Sequence, residues 1–277
     1  MERITDWIKL WHEILEKRET YYQDSPDRSG DVWRDRARSF HEYVKQRWAQ
    51  PDSSREMVLS QVDDQTTVLD IGAGTGAWAL LLAKKARRVT AVEPSQAMAD
   101  VLRENLDAEG VTNVDIVMGH WPEVEIEPHD LSLCSHAMYG MGDFPTFVRS
   151  MVAATRRTCF LLTRAPLLDS VMAQAAQRVW GQPHDSPNFV IAYNALIQMG
   201  VYANVLMENT GAWGAWKNDS LEAAFAEIKG KLGLQGPSEH DEFLMDLLRA
   251  NLKERDGIWV WPPSMRSALI YWDVNAR

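Results

Sequence analysis

The chain has 277 residues, of which 45% are hydrophobic and 25% charged, and its formal net charge at pH 7 is −10. This composition is typical of a soluble globular protein, and no apolar run reaches the length that a membrane-spanning helix requires. The acidic balance argues against a nucleic-acid partner, because proteins that grip a phosphate backbone present a basic face. Residues 1–10 mix polar and apolar side chains and do not resemble a signal peptide, so we expect a cytoplasmic protein.

The first sixty residues predict a helical segment. Apolar side chains recur at helical spacing from Ile4 to Leu15 and again from Trp33 to Trp48, with turn residues at 25–30 between the two runs. Such stripes must be covered in a folded protein. They predict an N-terminal helical lid over residues 1–60 that packs on the domain after it, with a homodimer surface as the alternative.

Strands and helices alternate from Thr67 onwards. The pattern predicts strands at 67–71, 88–93, 115–118, 130–135 and 158–163, with helices between them. Alternation at this spacing predicts a parallel sheet with right-handed crossovers. After Pro166 we expect a helical insertion over about 167–200 that caps the substrate, and then two late strands, 201–208 and 267–273, which extend the same sheet. Residues 61–277 are therefore predicted to form one domain.

A glycine-rich turn follows the first of these strands. It reads Asp70-Ile71-Gly72-Ala73-Gly74-Thr75-Gly76, and an acid, Glu93, ends the next strand 23 residues after Asp70. Glycines at a strand-to-helix turn let a ligand lie directly against the backbone. An acid at the end of the second strand is placed to accept hydrogen bonds from ribose hydroxyls.

The charge of Asp70 separates two classes of cofactor. The spacing of Gly72, Gly74 and Ala77 also satisfies the dinucleotide pattern. A carboxylate beside the turn would repel a pyrophosphate, which otherwise favours the start of a helix. The same carboxylate suits an ammonium group beside a sulfonium, so the sequence favours S-adenosylmethionine as the cofactor.

These residues carry a resemblance to a known family. The run from Asp70 to Gly76 and the later Glu93-Pro94-Ser95 resemble the first two motifs of class I S-adenosylmethionine-dependent methyltransferases. The resemblance implies a Rossmann-like α/β fold, with a seven-stranded, mostly parallel sheet, helices on both faces and the last strand antiparallel. It also implies cofactor-binding roles for a set of residues: Asp70, Gly72, Ala73, Gly74, Thr75 and Gly76 at the methionyl part, Glu93 at the ribose, and Pro94 and Met98 near the adenine.

The third motif of that family departs from its pattern here. The family places an aspartate after the third strand, whereas this chain has Gly119-His120-Trp121. A neutral imidazole at His120 could accept the hydrogen bond of the adenine amino group, and Trp121 could stack on the ring. The alternative is an exposed histidine beside a core tryptophan.

The residues after the fourth strand are the candidates for chemistry on the methyl acceptor. Ligands bind beyond the carboxyl ends of parallel strands, which places His136 and Tyr139 at the methyl-transfer cleft. Ser135, the last residue of the fourth strand, is a candidate cofactor-binding residue. His136 or Tyr139 could accept a proton from the acceptor as a catalytic residue, or His136 could only pack against the cofactor. No metal site is indicated, since no His, Asp or Glu cluster has ligand spacing. Cys134 and Cys159 lie in apolar surroundings and predict buried reduced thiols.

The predicted function is transfer of a methyl group to a small-molecule acceptor. The tryptophans after Pro166 favour an aromatic or cationic acceptor, because aromatic walls stack on flat rings and attract cations. Two alternatives stay open: a methyltransferase that acts on protein or RNA, and a non-catalytic protein that only binds S-adenosylmethionine. The Asn-Pro-Pro-Tyr-type sequence of many nucleic-acid amino-methylating relatives is missing after the fourth strand.

Overall fold

The computed structural model describes residues 5–22, 31–208 and 216–275. Ile4 and the predicted turn at 25–30 lie outside the described residues. The described residues divide into two compact units. The unit that we call the sheet unit is formed from Pro26–Thr163, Ala195–Glu208 and Ala268–Arg277, and the helical unit from Met1–Ser25, Arg164–Asn194 and Asn209–Ser267.

Seven strands form one sheet in the order β3-β2-β1-β4-β5-β10-β6. Every described pairing among the first five of these strands is parallel, so the predicted seven-stranded, mostly parallel sheet is confirmed. The two late strands, β6 and β10, extend this sheet as the sequence predicts. The strands are β1 (Thr67–Ile71), β2 (Arg88–Glu93), β3 (Val114–Met118), β4 (His129–Ser135), β5 (Thr155–Pro166), β6 (Asn204–Glu208) and β10 (Met265–Asp273).

Among the described residues, helices α2 to α6 of the sheet unit alternate with the strands or precede them. Capping residues set two of their boundaries: Ser95 accepts a hydrogen bond from the Met98 N–H, and Asp143 accepts one from the Thr146 N–H. The helices are α2 (Ala37–Trp48), α3 (Ser53–Ser60), α4 (Ala77–Ala83), α5 (Gln96–Glu109) and α6 (Phe144–Ala153). The short helix α3 was not predicted, because eight residues give too little periodicity to recognise.

The core of the sheet unit lies between these helices and the sheet. Buried side chains from β1, β2, β4 and α4 form one cluster, which includes Val68, Val89, Leu131 and Trp78. The order of the strands reverses between β1 and β4, which are parallel neighbours. In open α/β sheets ligands bind at this reversal, beyond the carboxyl ends of the strands.

The helical unit has a core of its own. Helices α7 (Val171–Trp180), α9 (Leu221–Lys231) and α10 (Asp241–Asn251) contribute buried side chains to one cluster. Trp261 also belongs to this cluster. A small antiparallel sheet, not predicted from the sequence, joins β7 (Lys217–Asn218), β9 (Ile258–Val260) and β8 (Lys253–Arg255). The unit also contains α1 (Trp7–Tyr22) and, within the predicted insertion, the first residues of α8 (Phe189–Gln198).

The division bears on the predicted lid. Helix α1 belongs to the helical unit, whereas α2 and α3 belong to the sheet unit. The lid over 1–60 stays a prediction. Within this segment, the helices that belong to the same unit as the seven-stranded sheet are α2 and α3. No helix within the described ranges is both long and apolar enough to cross a bilayer.

Candidate active site

The loop between β1 and α4 has the backbone conformation that its glycines permit. Gly72, Gly74 and Gly76 have φ values of 72°, 57° and 91°, in the left-handed region that side chains disfavour. A Cβ on Gly72 would collide with Ala137, and one on Gly76 would collide with Leu102. Around Gly74, in contrast, an added Cβ would meet no described atom within 4 Å. The loop is therefore held tightly at its two ends and open at its middle glycine.

Backbone hydrogen bonds fix the start of this loop against β2. The N–H groups of Gly72 and Ala73 both donate to the Val92 carbonyl, at 2.8 and 3.0 Å. Thr75 is buried and its backbone carbonyl accepts a 2.9 Å bond from Asn105 of α5. The predicted loop residues thus form one ordered turn at the carboxyl ends of β1 and β2.

Asp70 lies beneath the loop, with 1% of its surface exposed. It accepts a hydrogen bond from the Ala79 N–H in the first turn of α4. Its second oxygen, Oδ2, is buried and has no hydrogen-bond partner among the described residues. Burial, with a smaller contribution from the nearby Glu93 charge, raises the pKa of Asp70 to about 7. A buried acid with an unused acceptor oxygen is suited to a cationic or hydrogen-bond-donating ligand.

Glu93 joins the glycine loop to the start of α5. Its Oε2 accepts a 2.7 Å bond from the Gly74 N–H, and its Oε1 accepts a 2.8 Å bond from the Ser95 N–H. Burial raises the pKa of Glu93, although these two bonds oppose the shift. Each carboxylate oxygen has two lone pairs, so both retain the capacity to accept a bond from a ribose hydroxyl.

Asp31 is a site-proximal residue that the sequence did not single out. Its carboxylate accepts bonds from the Ser95 hydroxyl at 2.8 Å and from the Ala97 N–H at 2.9 Å, at the start of α5. Although burial opposes it, hydrogen bonds from Ala97, Trp33 and Ser95 lower the pKa of Asp31. No sequence pattern links an aspartate after a turn to a helix more than sixty residues later.

Helix α2 contacts the glycine loop through a second unpredicted residue. Nδ1 of His41 lies 3.2 Å from the Thr75 hydroxyl and 3.4 Å from the Asn105 side-chain nitrogen. This contact joins α2, the loop and α5. It places α2 directly on the carboxyl edge of the sheet.

The turn after β4 brings together the two predicted catalytic residues. Nδ1 of His136 lies 2.8 Å from the Tyr139 hydroxyl, and their rings stack at 6.1 Å. His136 has a φ of 56°, which is uncommon for a residue with a side chain and frequent at functional turns. Nη2 of Arg47, from α2, lies 3.5 Å from Nε2 of His136. Arg47 was not predicted as a site residue.

A small cavity lies beside this turn. It has a volume of about 30 Å³ and is lined by Arg47, Trp48, Asp52, Arg55, Trp78, Ser135, His136 and Leu162. Ser135, the last residue of β4, therefore lies beside His136, and its role in binding the cofactor stays a prediction. Side chains of α2 and α3 therefore face residues of β4 and β5 across this cavity.

The residues predicted near the adenine lie in contrasting environments. Pro94 and His120 are exposed, whereas Trp121 is buried and its indole N–H donates a 3.4 Å bond to the Phe147 carbonyl. Met98 is buried in a cluster with Ala37 of α2. This geometry favours the packing alternative for Trp121, and the adenine contacts stay predictions.

Both cysteines are buried reduced thiols, as predicted. Burial raises the pKa of Cys134 and of Cys159 to about 12, so neither thiol is reactive at neutral pH. Across the part of the chain that the structure describes, no group of three or more His, Cys, Asp or Glu side chains could hold a metal ion.

Comparison with known proteins identifies a family over the residues around the site. Residues 68–158 match the family described as methyltransferase domain. An uncharacterized protein of Haemophilus influenzae is 25% identical over 81% of this chain and 83% of its own length. A probable ribosomal RNA small subunit methyltransferase A of Methanosphaera stadtmanae is 32% identical, but over only 35% of this chain and 36% of its own. Among solved structures, a candidate methyltransferase from Bacillus halodurans has a TM-score of 0.55 at 14% identity, over 81% of this chain and 99% of its own, and shows the same fold.

Sheet order, glycine loop and family match agree on the class of protein. Residues 68–158 match a methyltransferase domain, and the sheet order and the glycine loop around it support a class I S-adenosylmethionine-dependent methyltransferase. Its cofactor is S-adenosylmethionine. The buried Oδ2 of Asp70 and the open middle of the loop at Gly74 fit this cofactor, which carries an ammonium group and a sulfonium.

Proposed function

We propose that this enzyme transfers the methyl group to a small molecule. The proposal depends on one observation: α2 lies along the carboxyl edge of the sheet. His41 contacts the glycine loop after β1, and Arg47 contacts His136 after β4. A macromolecular acceptor needs an open edge, whereas here the chain's own helix occupies the space beside both turns.

The cofactor supplies an electrophilic methyl group on a positively charged sulfur. Asp70 would hold its ammonium group, and Glu93 would accept bonds from its ribose hydroxyls while keeping the Gly74 N–H in place. Pro94, Met98 and His120 would lie beside the adenine. Methyl transfer requires chiefly alignment of the acceptor with the sulfonium and exclusion of water.

A ribosomal RNA or protein acceptor is the rival interpretation. It is favoured by the names of several relatives, such as the Methanosphaera stadtmanae protein, which matches 35% of this chain. That match spans about a third of each chain. The net charge of −10 and the covered edge of the sheet favour a small molecule.

Helix α2 would act as part of a lid. Its described contacts with Thr75 and His136 are polar, which suits a segment that tightens when a ligand binds. Amide hydrogen exchange in α2 should slow when S-adenosylhomocysteine is added. Exchange in α6, which lies among none of the proposed ligand contacts, is the internal control, and equal exchange in α2 with and without ligand would exclude the lid.

Label transfer from methyl-tritiated S-adenosylmethionine tests the proposed function. The enzyme is incubated with a cell extract separated into small-molecule, RNA and protein fractions. We expect label in the small-molecule fraction together with S-adenosylhomocysteine formation. Label in RNA or protein alone would establish the rival, and tight cofactor binding without turnover in any fraction would indicate a non-catalytic protein.

A further inference from the structure

Three side chains hold the start of α5, and one of them comes from the segment before α2. Ser95, the residue before the helix, accepts a 3.1 Å bond from the Met98 N–H. Asp31 accepts a 2.9 Å bond from the Ala97 N–H, and Glu93 accepts a 2.8 Å bond from the N–H of Ser95 itself. The first N–H groups of a helix have no partner within it, so acceptors and acids at this end stabilise it.

Ser95 links the two acids to each other. Its hydroxyl donates to the Asp31 carboxylate at 2.8 Å, and its backbone N–H donates to Oε1 of Glu93. The bond to Asp31 restricts where Ser95 can lie, and the position of the Ser95 N–H in turn restricts where Oε1 can lie. A side chain that holds the partner of a binding residue improves the geometry of that residue without contacting the ligand.

Glu93 is held from two sides that have different origins. Oε2 accepts its bond from the Gly74 N–H in the loop after β1, and Oε1 accepts its bond from the Ser95 N–H. The first bond belongs to the sheet and its glycine loop. The second is supported by Asp31, which lies 64 residues before Ser95 in the chain. Removal of Asp31 would therefore leave the Gly74 bond in place and loosen the carboxylate on the side of α5.

Asp31 is fixed by its own turn. Its Oδ1 accepts a 3.0 Å bond from the Trp33 N–H, and its backbone carbonyl accepts one from the Arg34 N–H at 3.0 Å. Trp33 packs against a buried cluster that joins Ala37 of α2 to Met98 of α5. Although burial opposes it, hydrogen bonds lower the pKa of Asp31, so its carboxylate is charged at neutral pH.

We propose that Asp31 is a positioning residue for the ribose of S-adenosylmethionine. It acts through Ser95, which holds the Glu93 carboxylate in the orientation that accepts bonds from the two ribose hydroxyls. Because hydrogen bonds weaken steeply as their angle departs from linear, a displaced carboxylate would lose affinity for the ribose. The inference concerns the methyl donor, so it applies equally to a small-molecule, RNA or protein acceptor.

A merely structural role for Asp31 predicts a different result. Loss of a helix cap would disturb the site as a whole and weaken the binding of every cofactor analogue by the same factor. Loss of positioning would weaken only those ligands that carry ribose hydroxyls. The ratio of two affinities distinguishes the two roles, because a general disturbance cancels from it.

The test compares two ligands across a set of variants. Calorimetry, by displacement where binding is weak, measures the affinity of S-adenosylhomocysteine and of its analogue that lacks both ribose hydroxyls. The variants are Asp31→Ala and Asp31→Asn, with Asp35→Ala as the control, which removes an exposed acid from the same turn. Glu93→Ala and the double variant Asp31→Ala/Glu93→Ala complete a double-mutant cycle. Thermal melts establish that each variant is folded, and Asp31→Asn, which keeps the shape of the side chain, carries the test if Asp31→Ala does not fold.

We expect the wild-type protein to prefer S-adenosylhomocysteine over the analogue about 100-fold or more, since two charge-assisted bonds distinguish the ligands. Asp31→Ala should lower this preference about tenfold. Asp31→Asn keeps one acceptor oxygen for the Ser95 hydroxyl and should lose less. Asp35→Ala should keep the wild-type preference within about twofold. Once Glu93→Ala has removed the preference, the addition of Asp31→Ala should change it no further.

Three results would overturn the proposal. The first is an unchanged preference in the folded Asp31 variants, whether or not both ligands bind more weakly. The second is an equal loss of preference in Asp35→Ala, and the third is a wild-type protein that binds the two ligands equally. None of these results bears on the acceptor, which the label-transfer experiment tests separately.

Discussion

The ends of two neighbouring strands in this sheet carry opposite chemistry. Beyond β1 and β2 lie two buried acids, Asp70 and Glu93, whose pKa values are raised by burial. Beyond β4 lie three side chains that can donate hydrogen bonds, with His136 in contact with both Arg47 and Tyr139. The acidic end suits a cationic methyl donor, so we assign the cofactor to the ends of β1 and β2 and the methyl acceptor to the donor-rich end of β4.

The two ends also differ in how their residues are held. Asp70 accepts a bond from the Ala79 N–H of α4, and Glu93 accepts bonds from the Gly74 N–H of the glycine loop and from the Ser95 N–H before α5. His136 is bonded to a side chain from α2, 89 residues away in sequence. The acidic end therefore belongs to the sheet, whereas the donor-rich end depends on α2 being in place.

The largest effect is expected at Glu93. Glu93→Ala removes the acceptors of the Gly74 N–H and of the ribose, and charge-assisted bonds of about 1.5–3 kcal/mol each predict a loss of about 100-fold or more in S-adenosylmethionine affinity. Calorimetry measures this loss. Glu104→Ala, which removes an exposed acid of α5, is the control and should bind as wild type does. An unchanged affinity in folded Glu93→Ala would show that the ribose is held elsewhere.

Substitutions at the donor-rich end should lower the rate of turnover and leave the affinity for the cofactor unchanged. Tyr139→Phe and His136→Ala should lower turnover about tenfold, because each removes a predicted contact with the methyl acceptor. Their affinity for S-adenosylhomocysteine should stay near that of wild type. If His136→Ala loses affinity and rate together, His136 packs against the cofactor and the contrast between the two ends fails.

The stability of the cofactor-free protein should depend on Asp70 and pH. The pKa of Asp70 is raised from 3.8 to about 7 on folding, so its contribution is present at low pH and is lost as pH rises through about 7. The melting temperature of wild type should therefore fall between about pH 5 and pH 8 more steeply than that of Asp70→Asn, which carries no charge. Parallel curves for the two proteins would show that Asp70 is ionised throughout.

The smallest effect is expected at His41, between α2 and the glycine loop. His41→Ala removes one neutral hydrogen bond, worth about 1 kcal/mol, and should lower the melting temperature by about 2 °C. Ser39→Ala, on the exposed side of α2, is the control. A loss of all cofactor binding in His41→Ala would mean that α2 belongs to the cofactor site as firmly as the sheet does.

Sequence reasoning found the acidic end because its signals are local. The strand, the glycines and the helix lie next to one another in the chain, and β1 and β2 begin and end as predicted. Asp31, His41 and Arg47 were missed because their partners lie 64, 34 and 89 residues away. Such contacts depend on where α2 packs, which periodicity does not specify. The small sheet of β7, β8 and β9 was missed because strands of two or three residues carry no recognisable alternation.

The central claim is that the acidic end takes up the cofactor as a cation. A positive group beside Asp70 favours its charged form, so binding of S-adenosylmethionine should expel a proton wherever free Asp70 is protonated. Calorimetry in two buffers of different ionisation enthalpy measures the number of protons that are released when the cofactor binds. We predict release of a fraction of a proton approaching one near pH 6 and almost none near pH 8, with no release by Asp70→Asn. Equal proton release by wild type and Asp70→Asn near pH 6 would contradict the claim, because Asp70 would then not ionise when the cofactor binds.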